Sequence, residues 1–132
     1  VKKKSVLDAY AILAYLKNES GHDRVNYLLT SEDTSLFINS INVGEAFYIF
    51  ARTQGVQAAE YFLSVILPSL PVNIVENSFE DVIQAARIKA RHSMSFADCF
   101  AAATAIREAA VLVIGDPEFK KLGKELQIEW LG

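Results

Sequence analysis

Short apolar runs alternate with helical stretches along this chain, and that alternation restricts the fold more than any other feature. Val111-Leu112-Val113-Ile114 is the clearest run. It is β-branched and uncharged, the pattern of a strand buried on both faces, and Gly115-Asp116-Pro117 closes it. Leu36-Phe37-Ile38 and Val72-Asn73-Ile74-Val75 read as two more strands, and Gln127-Ile128-Glu129-Trp130 as a last one at an edge. Ser5-Val6-Leu7 is too short to fix its own type. The helical composition of Ala9–Leu16 behind it nevertheless places Asp8 where a strand hands over to a helix. Further helices are expected from about His22 to Leu29 and from Val43 to about Thr53, the latter capped by Ser40 or Asn42 and ended by Gly55. Another runs from Ala58 to Leu67, stopped by Pro68 and Pro71, and one from the Ser78 cap to about His92. Strands alternating with helices predict an α/β fold with a mostly parallel sheet.

With 132 residues, no repeat, no low-complexity tract and no linker, the chain reads as a single domain, 1–132. An apolar share of 52% against 22% charged residues sets it among globular proteins and leaves apolar surface for a second copy, so a homodimer is expected. The net charge of −3 gives no basic signature for passive nucleic-acid binding. It does not exclude an enzyme that meets phosphates through a cation. One cysteine, Cys99, rules out an internal disulfide and fits a reducing, cytoplasmic setting. Lys2-Lys3-Lys4 leads into too short an apolar run for a signal peptide, and no stretch suits a bilayer, so no membrane partner is expected.

Ser95-Phe96-Ala97-Asp98 opens an alanine-rich helix in which Asp98 is the one charge before Arg107. Ser95 suits the N-cap and the alanines allow close packing. Asp98 then has two readings. It can reach back as a capping-box acid on the positive end of the helix dipole, or it can belong to a carboxylate cluster. The other acids weigh on the choice. Sites in open parallel sheets form beyond the carboxyl ends of the strands. Asp8 and Asp116 directly follow strands, while Glu45 and Asp98 lie near helix starts. All four can converge on one edge. Two carboxylates about 5 Å apart repel by roughly 3 kcal/mol at an effective dielectric of about 20, so such a cluster needs cations. Oxygen ligands favour Mg²⁺ or Mn²⁺.

The order Asp8, Asn42-Val43-Gly44-Glu45, Ser95-Phe96-Ala97-Asp98 and Ile114-Gly115-Asp116 resembles PIN-domain ribonucleases, most of all the VapC-type toxins of prokaryotic toxin–antitoxin pairs. The resemblance spans nearly the whole chain. It implies a three-layer α/β/α sandwich, hydrolysis of RNA phosphodiesters at an acidic Mg²⁺ or Mn²⁺ site, and a small antitoxin protein as partner. Carried over by position, Asp8, Glu45, Asp98 and Asp116 are the metal-holding and catalytic acids, with Asn42 and Ser95 as supporting polar residues. Asp116 would complete the site or orient the attacking water. The chain departs from the family in one respect: Ile114 stands where a Thr or Ser hydroxyl is common.

Each acid also has a plain helix-end reading. Asp8 is able to cap the helix at Ala9, Asn42-x-x-Glu45 has capping-box spacing, and Asp116-Pro117 is a good helix start. Caps and ligands are compatible, and the joint placement favours a site. His22 and His92 lack ligand spacing and read as solvated, and Cys99 reads as a small buried residue. Tyr10, Tyr15, Phe47 and Tyr48 read as core or interface. Two alternatives remain: an inactive PIN-fold interaction module, or another acid-site phosphohydrolase. A receiver-type site would want a second acid beside Asp8 and a Lys within Val111–Pro117, and neither is there.

Overall fold

The computed structural model describes residues 2–115 and 126–131. Five parallel strands form one sheet: β1 (Lys3–Leu7), β2 (Thr34–Asn39), β3 (Val72–Val75), β4 (Val111–Ile114) and β5 (Ile128–Trp130). Their spatial order is β3-β2-β1-β4-β5, so β1 lies at the centre, and β5 lies at an edge, where the sequence places it. Leu7 pairs with Ile38 on one side and Val113 on the other. The residue after Leu7 therefore leaves the sheet between two strand ends.

Side chains alternate across the strands and bury both faces. Val6, Leu112 and Ile114 pack with Ala85, Ile88, Phe100 and the alanines of α7 (Phe96–Glu108), beside α6 (Phe79–Arg91). Leu7, Leu36, Ile38 and Val113 face the other way, onto Ile12, Val25, Val43 and Phe62. That layer is built by α1 (Ala9–Leu16), α2 (His22–Thr30), α3 (Ser40–Gln54) and α4 (Val56–Tyr61). The result is a three-layer α/β/α sandwich. In α7 every residue from Cys99 to Ala105 is buried, because small side chains let it lie close on β1, β2 and β4 while α3 and α6 cover it.

Two boundaries and one burial differ from those expected. First, α3 begins at Ser40 and is capped by Asn39, whose Oδ1 accepts from the Ile41 N–H at 2.9 Å. Asn39 is also the last residue of β2, so strand passes to helix without a loop, and neither Ser40 nor Asn42 is the cap. Second, the helix after Gly55 starts at Val56, widens into a π-turn over Phe62–Ile66 and continues through Pro68 in α5 (Leu67–Ser69). The widening sits one turn ahead of Pro68, whose ring crowds the carbonyl four residues back in a regular α-helix. Third, His22 and His92 are partly buried rather than solvated, and His22 stacks on Tyr15 with ring centroids 5.4 Å apart. Among the described residues no helix is long and apolar enough to cross a membrane.

Candidate active site

Asp8 is the hinge between β1 and α1. Its backbone is extended, its N–H points at the Val113 carbonyl at 3.4 Å, and its Oδ1 accepts from the Ala11 N–H at 2.8 Å. The cap reading of Asp8 is therefore correct. Yet the residue is only 2% exposed, a deep position for a carboxylate. Burying an ionised carboxylate is costly unless it is paired or bound to a cation.

Glu45 lies one turn after Asn42 in α3 and is partly buried. Asp98 is the third residue of α7, also partly buried, and its N–H donates to Ser95 Oγ at 3.2 Å. Ser95 is thus the exposed cap of α7, as expected.

The residue that relates these two helices is Asn42. It is fully buried, and its Nδ2 donates to the carbonyl of Ala97 at 3.1 Å. That bond ties the first turn of α3 to the first turn of α7, one residue before Asp98. Asn42 is therefore an inter-helix tie and not half of a capping box with Glu45. Its Oδ1 is buried with no hydrogen-bond partner.

A second polar junction holds the same corner. Asn39 Nδ2 donates to Asn77 Oδ1 at 2.7 Å and to Thr104 Oγ1 at 2.9 Å. Asn77 Nδ2 donates back to Asn39 Oδ1 at 2.9 Å. The end of β2, the loop after β3 and the middle of α7 are locked together. Sequence reasoning overlooked Asn39 and Asn77; the only available signal was an amide at the end of an apolar run.

Ile114 is completely buried against the α6–α7 layer, and its carbonyl accepts from Leu131 N–H at 2.8 Å. An apolar core side chain thus occupies the position of the usual hydroxyl. Gly115 follows β4. A Cβ there would stand 2.3 Å from Tyr10 Cε1, so the Tyr10 ring lies directly on the Gly115 backbone. Asp116 lies outside the described residues.

Topology thus brings Asp8, the start of α3 with Glu45 and the start of α7 with Asp98 to the carboxyl edge of the sheet. Among the described residues, no three His, Cys, Asp or Glu side chains are grouped so as to hold a metal ion. The donors at this edge are carboxylate and amide oxygens, a hard set that fits Mg²⁺ or Mn²⁺ better than zinc or copper. Cys99 offers no competing nucleophile. Burial pushes its thiol above the ordinary range, with Asp98 adding to the effect and Lys89 opposing it.

The family model for the PIN domain matches residues 5–125. The chain belongs to the PIN domain family. Among curated proteins none matches. Among solved structures, the PIN fold here is similar to VapBC2 from Rickettsia felis bound to a promoter DNA fragment, at 19% identity and a TM-score of 0.75, covering 98% of this chain and 99% of that one. DNA-bound VapBC from Salmonella typhimurium gives 18% identity and 0.76 over 98% and 99%. Mycobacterium tuberculosis VapC20, a toxin that cleaves the sarcin–ricin loop, gives 18% and 0.76 over 90% and 95%. At these identities the likeness is one of fold. The sandwich and the parallel sheet of this PIN domain are those of the VapC toxins.

Proposed function

We propose that this PIN domain is a metal-dependent endoribonuclease that hydrolyses RNA phosphodiester bonds, and that it is the toxin of a toxin–antitoxin pair. The observation that carries the reading is the Asn42–Ala97 bond. In a PIN chain it joins the two helix starts bearing Glu45 and Asp98 at the edge where Asp8 leaves β1. Asp8, Glu45 and Asp98 hold the cation, Mg²⁺ or Mn²⁺, and Asp116 completes the site or orients the attacking water. Asn42 and Ser95 support the acids by fixing the helix starts. When bound, the cation supplies a water of lowered pKa as the nucleophile at neutral pH.

The similar solved structures include a toxin–antitoxin complex from Klebsiella pneumoniae and VapBC bound to DNA. By likeness to them, a small antitoxin is the partner of this chain. Exposed Val56, Tyr61, Leu63 and Val65 leave apolar area for a second copy.

The test is cleavage of single-stranded RNA with Mn²⁺ or Mg²⁺, repeated with chelator and with Asp98→Asn. Cleavage that chelator and Asp98→Asn both abolish, with the variant still folded, supports the proposal. Full activity of Asp98→Asn overturns it. The second reading is an inactive PIN-fold interaction module. It draws on the absence, among the described residues, of three acids grouped for a metal. Activity in the same assay eliminates it.

A further inference from the structure

We infer that Tyr10 is a stacking platform for a nucleotide base of the RNA, set beside the phosphate that is cut. The inference rests on the ribonuclease reading and goes beyond the acids to substrate contact.

Three observations carry it. Tyr10 is the second residue of α1, two residues after Asp8, and its ring lies on Gly115. The ring therefore bridges the ends of β1 and β4, the neighbouring strands from which Asp8 and Gly115 emerge. Its neighbours Ala9 and Ala11 are buried, whereas Tyr10 is 40% exposed.

The glycine beneath the ring is the second observation. Gly21 and Gly55 have positive φ, a backbone need that glycine meets. Gly115 has no such need. A Cβ there would meet Tyr10 at 2.3 Å, 2.5 Å and 2.7 Å from three ring atoms. Glycine at this position allows the close approach of the ring.

The third is charge. The chain carries −3, and the neighbouring acids repel a phosphate backbone. The cation held by the acids answers the phosphate that is cut, and contacts that carry no charge add affinity for the nucleotide beside it without meeting that repulsion. Base–aromatic stacking supplies them, because every base has a π-face.

The experiment is cleavage kinetics on a short single-stranded RNA with Mn²⁺, comparing wild type, Tyr10→Phe, Tyr10→Leu and Gly115→Ala. An abasic nucleotide is then walked along the same RNA. Tyr10→Phe keeps the ring and loses far less than Tyr10→Leu. Tyr10→Leu and Gly115→Ala, which remove or displace the ring, lose about 5- to 150-fold in kcat/KM, chiefly through KM. An abasic nucleotide beside the cut costs wild type a similar factor and costs Tyr10→Leu almost nothing, a coupling that a purely structural ring would not show.

The inference falls if Tyr10→Leu cleaves like wild type or if the abasic penalty is equal in both. It also falls if Tyr10→Phe loses as much as Tyr10→Leu, which would assign the work to the hydroxyl. If wild type cleaves no RNA with any divalent cation, the ribonuclease reading fails and the stacking role fails with it. Stacking alone fails when wild type cleaves and its variants match it.

Discussion

Asp8 and Asn42 are the residues at which helix-end chemistry and the proposed site meet. Asp8 caps α1 and is nevertheless almost wholly buried. Asn42 spends its amide N–H on Ala97 while its oxygen is left without a partner. Replacing Asn42 by Ala frees the Ala97 carbonyl inside the protein, at a cost of about 1–3 kcal/mol. Thermal unfolding should therefore move down. RNA cleavage should fall further than the lost stability explains, since the separation of Glu45 and Asp98 depends on that tie. Cleavage at the wild-type rate by a folded Asn42→Ala protein would assign Asn42 a packing role only. Asp98→Asn makes the opposite pairing: unfolding close to wild type, cleavage gone.

The helices carry their own devices. In α6, Ser78 and Asp81 form a capping box: the Ser78 N–H donates to the Asp81 carboxylate at 2.9 Å, and the Asp81 N–H donates to Ser78 Oγ at 3.2 Å. Arg107 of α7 reaches the same carboxylate at 2.6 Å. The Ser78 backbone N–H above all holds the Asp81 carboxyl below its usual range; desolvation, the next largest effect, opposes it, and the Ser78 hydroxyl and the Arg107 guanidinium add to the lowering. A folded pKa below the unfolded one gives stability that is complete above the unfolded carboxylate pKa of about 3.9 and is lost as pH falls through the folded value. The stability gap between wild type and Asp81→Asn in urea unfolding should thus be widest near neutrality and close in acid; a gap independent of pH would refute the assignment. A different element-scale device is the buried pair Asn39–Thr104. Thr104→Val keeps the shape and removes the hydroxyl that Asn39 Nδ2 donates to. Asn77 still accepts from the same amide, so the cost should lie near the lower end of about 1–3 kcal/mol in denaturant unfolding. A neutral result would show that the Asn77 bond suffices alone.

At the scale of the molecule, a central sheet with two covered faces leaves its carboxyl edge as the place where strands end, helices begin and unpaired backbone groups gather. Among the exposed apolar side chains, Val56, Tyr61, Leu63 and Val65 lie together in sequence over α4 and its π-turn continuation. Light scattering at micromolar concentration should return twice the chain mass, and charged substitutions at Leu63 and Val65 should return the single mass. A monomer in the wild type would end the homodimer proposal. Coexpression with a neighbouring small reading frame should yield a copurifying antitoxin. Toxicity of the chain expressed alone would agree with that partnership.

How much of this could be read from residues follows from the range over which the forces act. The strands and most helices are local matters. Val111–Ile114 has no charge to solvate, and Ser78 and Ser95 cap the turns that follow them, so these elements are fixed within a few residues. The order of acids along the chain likewise identified the PIN family, which the match over residues 5–125 bears out. Asn42 was a different case. From its spacing to Glu45 it looked like a cap, because a local rule cannot see that Asn39, the last residue of β2 and paired with Val75 of β3, has already started the helix. Only packing in three dimensions brought α3 against α7 and turned Asn42 into the tie between them. The Tyr10–Gly115 contact is equally invisible in one dimension, since it joins residues that meet only because β4 lies beside β1. Local sequence determined the elements and set the acids near their ends; tertiary structure decided which side chains touch, because parallel strands become neighbours through crossovers that no short-range rule encodes.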